Sequence, residues 1–331
     1  MDLQQKISPY LSALARWKSS GSFIMFIVVF LGFYCFTGPV LVGTLQIKNF
    51  LTFGVEMSIM AMGVAMLMIA GEFDLSVGSV FGLSACTLFV IQSKFSFNPW
   101  LSFFMVLLLC AGIGALHGII TIKSKIPSFI VTLAGLMLWR AATIIITGGR
   151  PAPVPEQALD SLRSILAHKL IGGWFLTSFP IFILLFILLW IILERTPFGN
   201  RVFATGGNIN SARVRGAQPD KIKLLLFISC STLAGLAGLL RSVRVFTAHP
   251  MFGEGYELRM IAAAVIGGVS LRGGVGSLPG AVIGAILLRV IRNGIVLAGI
   301  SGAWYRVFIG LIILVAVVFN RFIDDKTRSK L

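Results

Sequence analysis

Charged side chains are scarce in this 331-residue chain: Asp, Glu, Lys and Arg make up 12% of it, and only 12 residues are acidic. In a soluble domain these four types make up about 25% of the residues. Three long stretches, 19–47, 95–122 and 170–193, contain none of them. About 20 apolar residues are enough to cross the roughly 30 Å hydrocarbon core of a bilayer. The composition therefore excludes a soluble protein and indicates an all-α, polytopic membrane protein.

Sequence signatures of catalytic and cofactor sites are also missing. The four cysteines lie in apolar stretches, without the paired spacing of disulfides or metal ligands. The glycine-rich residues 273–276 resemble a phosphate-binding loop, but they lack the Gly-Lys-Ser/Thr ending that grips phosphate and magnesium. We therefore expect no catalytic residue, no metal site and no cofactor in this chain.

Apolar stretches predict about ten transmembrane helices. Residues 1–21 are expected to form a cytoplasmic amphipathic segment, 22–320 the transmembrane domain, and 321–331 a cytoplasmic tail. Two connections are long, 148–173 and 194–223, and the first is expected to carry a short surface helix over 158–170. The predicted spans are roughly 22–43, 50–70, 75–93, 99–122, 127–147, 171–193, 222–243, 257–271, 275–298 and 303–320.

The net charge of +16 is unevenly distributed between the two sides of the predicted membrane domain. With the N-terminus inside, the inner segments hold 16 Lys and Arg and the outer segments hold seven. This asymmetry follows the positive-inside rule and places both termini in the cytoplasm. The charge thus indicates orientation, with contact to anionic membrane lipid, rather than nucleic acid binding.

Two polar, glycine-rich breaks interrupt the apolar pattern. The first is Gly-Glu-Phe-Asp-Leu-Ser-Val-Gly-Ser (71–79), and the second is Gly-Gly-Val-Ser-Leu-Arg-Gly-Gly-Val-Gly-Ser (267–277). Both lead into the pattern Val-Gly-Ser-x-x-Gly, at 77–82 and 275–280, which predicts an internal repeat of a broken helix. A break at membrane depth is tolerated only where protein covers it or where it lines a cavity, and paired breaks point to a transport pathway.

Four polar residues are candidates for that pathway: Glu56, Asp74, Ser76 and Ser270. Asp74 or Ser76 can cap the helix that follows the first break. Asp74 can equally shape a polar translocation cavity, since ionisable groups at membrane depth are usually functional. Glu56 and Arg140 interrupt apolar spans, and each either pairs with another charge in the bundle or belongs to the pathway.

The inner loop 194–223 contains the sharpest local signal. Asn208 is a good N-cap for a short helix over 209–215, and Gly216 is a good stop for it. The loop either only sets the orientation of the chain or presents this basic helix as a docking site for a cytoplasmic motor. The candidate docking residues are Asn208, Ser211, Ala212, Arg213, Arg215 and Gly216.

The chain resembles the permease subunits of ABC importers for simple sugars, of the ribose, galactose and autoinducer-2 type. The resemblance covers most of the chain. It departs at Glu72 and Phe73, where sugar permeases usually carry glycine and isoleucine, and this departure concerns the substrate more than the class. The resemblance to this family rests on four motifs: Gly-Glu-Phe-Asp-Leu-Ser-Val-Gly (71–78); Pro-Ser-Phe-Ile-Val-Thr-Leu (127–133) with Thr-Gly-Gly-Arg-Pro (147–151); the loop 198–216; and residues 262–280 followed by Asn293-Gly294.

The resemblance implies an importer of the bacterial cytoplasmic (inner) membrane with several subunits. Its partners would be two cytoplasmic ATPase subunits, a second permease copy (identical or homologous) and an extracytoplasmic substrate-binding protein. ATP and magnesium would bind only to the ATPase. The helix after Asn208 would be the coupling helix that docks in the ATPase, and the outer segments 149–155 and 245–256 would face the binding protein.

Two other functions remain open from the residues alone. A stand-alone secondary transporter driven by an ion gradient would also use repeated breaks and Asp74. A membrane enzyme or scaffold has only Glu56, Arg140 and His117 to support it. Dependence of transport on ATP hydrolysis would distinguish an ABC importer from both of these alternatives.

Overall fold

The computed structural model describes residues 19–152, 156–312 and 314. Within them the chain is almost entirely helical, as predicted. Short 3-10 turns lie at Gly38–Val42, Glu156–Leu159 and Ile171–Gly173. The α-helices are α1 (Ser20–Thr37), α2 (Thr44–Ile69), α3 (Val77–Phe95), α4 (Pro99–Ser124), α5 (Ser128–Thr147), α6 (Asp160–Leu166), α7 (Ser178–Arg195), α8 (Pro197–Gly207), α9 (Ile209–Val214), α10 (Pro219–Val245), α11 (Tyr256–Ile266), α12 (Leu278–Leu297) and α13 (304–312).

Eight helices of the described residues are long and apolar enough to cross a membrane: α1 with its 3-10 turn, α2, α3, α4, α5, α7, α10 and α12. The polytopic all-α prediction is therefore confirmed. The predicted span 257–271 is replaced by α11, whose 11 residues reach only about 16 Å at 1.5 Å per residue. The predicted span 303–320 begins with α13, and its remainder lies outside the described residues, as do most of segment 1–21 and the whole tail 321–331.

Helix α10 is the centre of the bundle and packs against α2, α3 and α4. Small residues allow this close approach, as is usual between membrane helices. A Cβ added at Gly238 would meet the carbonyl oxygen of Phe81 and the Oγ of Ser84 in α3. The Ser84 hydroxyl also donates to the carbonyl of Gly235 at 2.9 Å. These contacts bring the backbones of α3 and α10 into direct contact near the first break.

The repeat consists of α2 and α3 around break 1 (70–76), and of α11 and α12 around break 2 (267–277). The two Ser hydroxyls of Ser19 and Ser277 lie 2.6 Å apart at the start of α1 and α12. Toward the other end of α12, Asn293 donates to Gln46, which lies at the start of α2, at 3.0 Å. Helix α12 therefore runs antiparallel to α2 and in the direction of α3. Both breaks lie at one end of the bundle, which we call the break end; the opposite one is the far end.

The long connection after α5 folds at the far end. It contains α6, shorter than the helix predicted over 158–170, and a two-stranded hairpin, β1 (Lys169–Leu170) and β2 (Phe175–Leu176). This hairpin displaces the start of α7 from the predicted residue 171 to Ser178. The amide of Ala152 donates to the carbonyl of Ala248 at 2.9 Å. The connection is thereby joined to the turn between α10 and α11.

Candidate functional site

Helix α9 is a short, capped helix at the break end. The Asn208 side chain accepts hydrogen bonds from the amides of Asn210 and Ser211, at 3.0 Å each. At the other end, the amide of Gly216 donates to Arg213 and that of Ala217 donates to Ala212, the bond pattern of a Schellman motif. Gly216 has a φ of +80°, which this motif requires. The predicted cap and stop thus coincide with the ends of α9.

Ala212 anchors α9 and is 1% exposed, whereas Ser211, Arg213 and Arg215 are exposed. Val214 stands out, because this apolar side chain is 90% exposed between two arginines. Val214 was not among the docking residues predicted from the sequence, although its position between two arginines in the run Arg-Val-Arg indicated an exposed site. An exposed apolar residue within a basic surface suits a protein contact. Arg213 also pairs with Asp220 at 3.3 Å, but both side chains are more than half exposed, so this ion pair adds little stability.

Helix α8 ends directly against both breaks. The amide of Gly274 in break 2 donates to the carbonyl of Ile69, the last residue of α2, at 2.8 Å. Gly206 lies between these two backbones, where a Cβ would meet the oxygen of Ile69 and the nitrogen of Gly274. Gly71 and Gly273 lie beside it. We call these four glycines (Gly71, Gly206, Gly273 and Gly274) the glycine junction, and it places the end of α8, which leads directly into α9, in contact with both breaks.

Asp74 is buried in break 1, with 1% exposure. Its Oδ1 accepts from the amide of Ser76 at 2.8 Å and from the hydroxyl of Ser76 at 2.6 Å. Its Oδ2 accepts from the hydroxyl of Ser231 in α10 at 3.2 Å. Asp74 therefore holds the residue that precedes α3, rather than the amides inside the first turn that the capping interpretation predicted. A pathway role for Asp74 and Ser76 stays a prediction.

His117 of α4 extends this network. Its Nδ1 lies 3.3 Å from the Ser76 hydroxyl, and its Nε2 accepts from the indole N–H of Trp139 at 3.1 Å. Because an indole N–H can only donate, the proton of a neutral imidazole must be on Nδ1. His117 then donates to Ser76, and Ser76 donates to Asp74. The network joins break 1 to α4, α5 and α10.

The two breaks satisfy their backbone groups differently. In break 1 the amides of Phe73 and Leu75 donate to the hydroxyls of Ser128 and Thr132 in α5, at 3.0 Å each. The Pro-Ser-Phe-Ile-Val-Thr-Leu motif thus supplies side-chain acceptors to the first break. Buried backbone groups need such partners.

In break 2, apart from the bond of Gly274 to Ile69, the backbone and side-chain bonds around Ser270 are internal to the break. The amide of Ser270 donates to Val275 at 2.9 Å, and the amide of Gly273 donates back to Ser270 at 3.2 Å. The Ser270 hydroxyl accepts from the amide of Arg272 at 3.2 Å. Ser270 is therefore a turn residue of break 2, and the structure does not bring it together with Asp74. Its pathway role stays a prediction.

Glu72 forms an ion pair with Lys223 near the start of α10, and both side chains are largely buried. The pair borders a cavity of about 390 Å³ at the break end. Lys125, Ile209 and Arg213 also line this cavity, so it separates α9 from the α4–α5 turn. Glu72, which departs from the usual glycine of sugar permeases, thus links break 1 to α10.

Glu56 and Arg140, the two charges predicted within spans, have different partners. Glu56 accepts from Arg244 at 2.8 Å and lies 3.6 Å from Arg241, both in α10. Arg140 donates instead to the backbone carbonyls of Pro250 and Phe252, at 2.7 and 2.8 Å. Glu56 therefore lies far from the breaks, in an ion-pair group at the far end.

No group of three or more histidine, cysteine, aspartate or glutamate side chains in the described residues could hold a metal ion. Cys86, Cys110 and Cys230 are buried and unpaired, and Cys35 is exposed and unpaired.

The chain matches a family model described as the permease component of branched-chain amino acid transport systems, over residues 46–317. Among curated relatives, the ribose import permease RbsC of Bacillus subtilis is 31% identical over 323 residues, which is 96% of this chain and 94% of the relative. The inner membrane ABC transporter permease YjfF of Escherichia coli is 34% identical over 87% of each chain. The autoinducer 2 import permease LsrC of Photorhabdus laumondii is 33% identical over 79% of this chain and 77% of the relative.

No solved structure matches the chain. The family match and the relatives confirm the resemblance that the four motifs indicated, and they favour a transport subunit over an enzyme. The eight apolar helices make it a multi-pass protein of the bacterial inner membrane. The chain belongs to the family of membrane-spanning permease components of ABC importers.

Proposed function

We propose that this chain forms the membrane pathway of an ATP-driven importer for a simple sugar or sugar-like small solute. Relatives named for ribose and autoinducer 2 import support this substrate class. The observation that carries the proposal is the position of α9, a capped and exposed helix adjoining the end of α8 that touches both breaks.

ATP-driven motion would enter the permease through α9. Val214 and the two neighbouring arginines would contact the partner ATPase, while buried Ala212 holds α9 to the bundle. When the ATPase closes, α9 would move with α8. The glycine junction would pass this motion to break 1 and break 2, because their backbones touch α8 without intervening side chains.

The break end would face the cytoplasm. The inner Lys and Arg of the predicted topology that fall on described residues lie at the break end, including Lys125, Arg213 and Lys223, which line its cavity. An excess of basic residues marks the cytoplasmic side. Both termini are then cytoplasmic, and the far end faces outward.

The assembly would contain two permease copies, identical or homologous, two ATPase subunits that bind ATP and magnesium, and one extracytoplasmic binding protein. The bond between Ala152 and Ala248 joins the two outer segments expected to face that binding protein. Residues 153–155 of the first segment lie outside the described residues.

Gly216→Val tests the coupling role of α9. A β-branched residue at a φ of +80° is strained by about 1–2 kcal/mol, yet nothing lies within 4 Å of an added Cβ. We expect ATP-dependent uptake by the complete importer in proteoliposomes to fall at least about tenfold, because strain at the stop reorients the exposed helix. The apparent unfolding temperature should change by only a few degrees.

Gly299→Val is the matched control, since Gly299 has a φ of +74°, equally open surroundings and a position at the end of α12. It should carry the same strain and retain uptake. Equal loss of uptake in both variants would contradict the coupling role. Uptake by the chain alone, in liposomes without an ATPase, would overturn the proposed function and revive the ion-coupled alternative.

A further inference from the structure

Four arginines gather at the far end, between α2, α10 and α12. The guanidinium carbons of Arg241, Arg244 and Arg289 lie 4.5, 4.4 and 4.2 Å from the ring centroid of Phe53. Arg292, one turn beyond Arg289, interacts electrostatically with both Arg241 and Arg289. We call these four residues (Arg241, Arg244, Arg289 and Arg292) the arginine cluster.

The cluster carries more positive charge than its surroundings neutralise. Among the described residues, Glu56 is the one acidic side chain that forms ion pairs with it. Guanidinium groups stay protonated in proteins, so four positive charges face one carboxylate. Like charges gathered around one aromatic ring repel one another, and the repulsion is stronger where water is partly excluded. An added anion would relieve this repulsion.

Arg289 has unused hydrogen-bonding capacity. Its Nε is buried and has no hydrogen-bond partner within the described part of the chain. The guanidinium fork of arginine matches an oxyanion such as a carboxylate or a phosphate, with two parallel hydrogen bonds. Arg292 is exposed beside it, so a small solute can reach the cluster.

Aromatic rings adjoin the arginines. Phe53 lies beneath three of them, and Arg241 also lies 5.8 Å from the ring of Phe252. The ring of Tyr256 lies 5.0 Å from the guanidinium carbon of Arg259, a further arginine in α11. Sites for small molecules commonly combine apolar rings with a few convergent polar groups. The group therefore suits a compact solute that has both an apolar face and an anionic group.

We propose that the arginine cluster binds the oxyanion of the transported solute, so that this importer carries an anionic sugar derivative rather than a neutral sugar. This inference rests on the proposed function and specifies its substrate class. Arg289 and Arg292 supply the free donors, and Glu56 fixes Arg244 and Arg241 in place. Arg241, Arg244 and Arg289 are each partly buried between helices, which favours a solute over a lipid headgroup at the bundle surface.

The test measures equilibrium binding to the full chain in phosphatidylcholine nanodiscs at low salt. Three radiolabelled probes separate the parts of the ligand: glucuronate, glucose and acetate. Glucuronate and glucose share the sugar ring and differ in the carboxylate, whereas acetate has the carboxylate alone. We expect glucuronate to bind at least about tenfold more tightly than glucose, which lacks the carboxylate that accepts a charged hydrogen bond. We also expect it to bind more tightly than acetate, which lacks a ring to lie against Phe53 and Phe252.

Two variants assign this binding to the cluster. Arg289→Gln should lower glucuronate affinity about tenfold and leave the weak binding of glucose unchanged. Arg292→Gln should also lower glucuronate affinity, and because Arg292 is exposed, this substitution should leave folding unaffected. Arg163→Gln is the control, because Arg163 also lies over an aromatic ring, 5.4 Å from Phe246, in a different far-end element. It should bind glucuronate as the parent chain does.

Three results would overturn the inference: no preference of glucuronate over glucose and acetate, unchanged preference in both cluster variants, or displacement of glucuronate when phosphatidylglycerol replaces part of the lipid. The last result would assign the cluster to a lipid headgroup. None of them bears on coupling to ATP, which the Gly216→Val experiment tests separately.

Discussion

Gly206→Ala is the sharpest test of how α8 is joined to the breaks. The new methyl group would meet two backbone atoms, the oxygen of Ile69 and the nitrogen of Gly274. Backbone cannot swing aside as a flexible side chain can. Helix α8 must therefore move away, or the hydrogen bond between Gly274 and Ile69 must lengthen from 2.8 Å.

The expected magnitude follows from three contributions. Overpacking a tight contact costs about 1–3 kcal/mol, and losing the hydrogen bond costs a further 0.5–1.5 kcal/mol or so. Alanine is better than glycine in a helix by up to about 1 kcal/mol, which offsets part of this. We expect a net loss of about 1–3 kcal/mol in stability, and a larger fractional loss in ATP-dependent uptake, because the altered contact is the one that connects α9 to the breaks.

Gly207→Ala provides the control from the adjacent residue of the same helix. A Cβ there meets only the Cα of Gly274, at 3.9 Å, an ordinary contact. Thermal unfolding of the purified chain and uptake by the complete importer should be close to those of the parent protein. If Gly206→Ala and Gly207→Ala unfold at the same temperature and transport equally well, the glycine junction does not connect α8 to the breaks.

Two further predictions concern break 1. Asp74→Ala leaves the hydroxyls of Ser76 and Ser231 without their acceptor and should lower the free energy of unfolding by about 1–3 kcal/mol. Asp74→Asn keeps one acceptor oxygen in place and should lower it less. If both variants unfold at the same temperature, the hydrogen bonds of Asp74 do not stabilise the protein. Glu72→Lys and Lys223→Glu should each lower the unfolding temperature, because each places two like charges together. The double variant restores opposite charges and should recover part of the loss. If it unfolds at the temperature expected from adding the two single effects, the two residues do not interact.

The sequence predicted local features of this protein well. Apolar length set most of the spans, and the residue types at Asn208 and Gly216 predicted both ends of α9 to within one residue. These features depend on neighbours in sequence, where cap chemistry and hydrophobic length act directly. The length of α11 was missed because the apolar stretch continues past residue 266, while the chain turns at the glycines that follow.

Contacts between distant residues could not be predicted in the same way. Glu56 and Arg244 are 188 positions apart, and a span of apolar residues does not indicate which helix faces which. The pairing of Asp74 with Ser231 and that of Glu72 with Lys223 depend on the position of α10 in the centre of the bundle. The arginine cluster likewise appears only when α2, α10 and α12 are brought together.

The two halves of the repeat are held in place by different kinds of contact. Moving Phe73 and Leu75 away from α5 would separate two amide donors from their acceptors, the hydroxyls of Ser128 and Thr132, so side chains of a neighbouring helix hold the first half in place. Residues 270–275 close their own turn, and the amide of Gly274 in that turn also donates to the carbonyl of Ile69 in the first half. The second half is therefore tied directly to the first, and a movement of break 2 must either take the end of α2 with it or break this hydrogen bond.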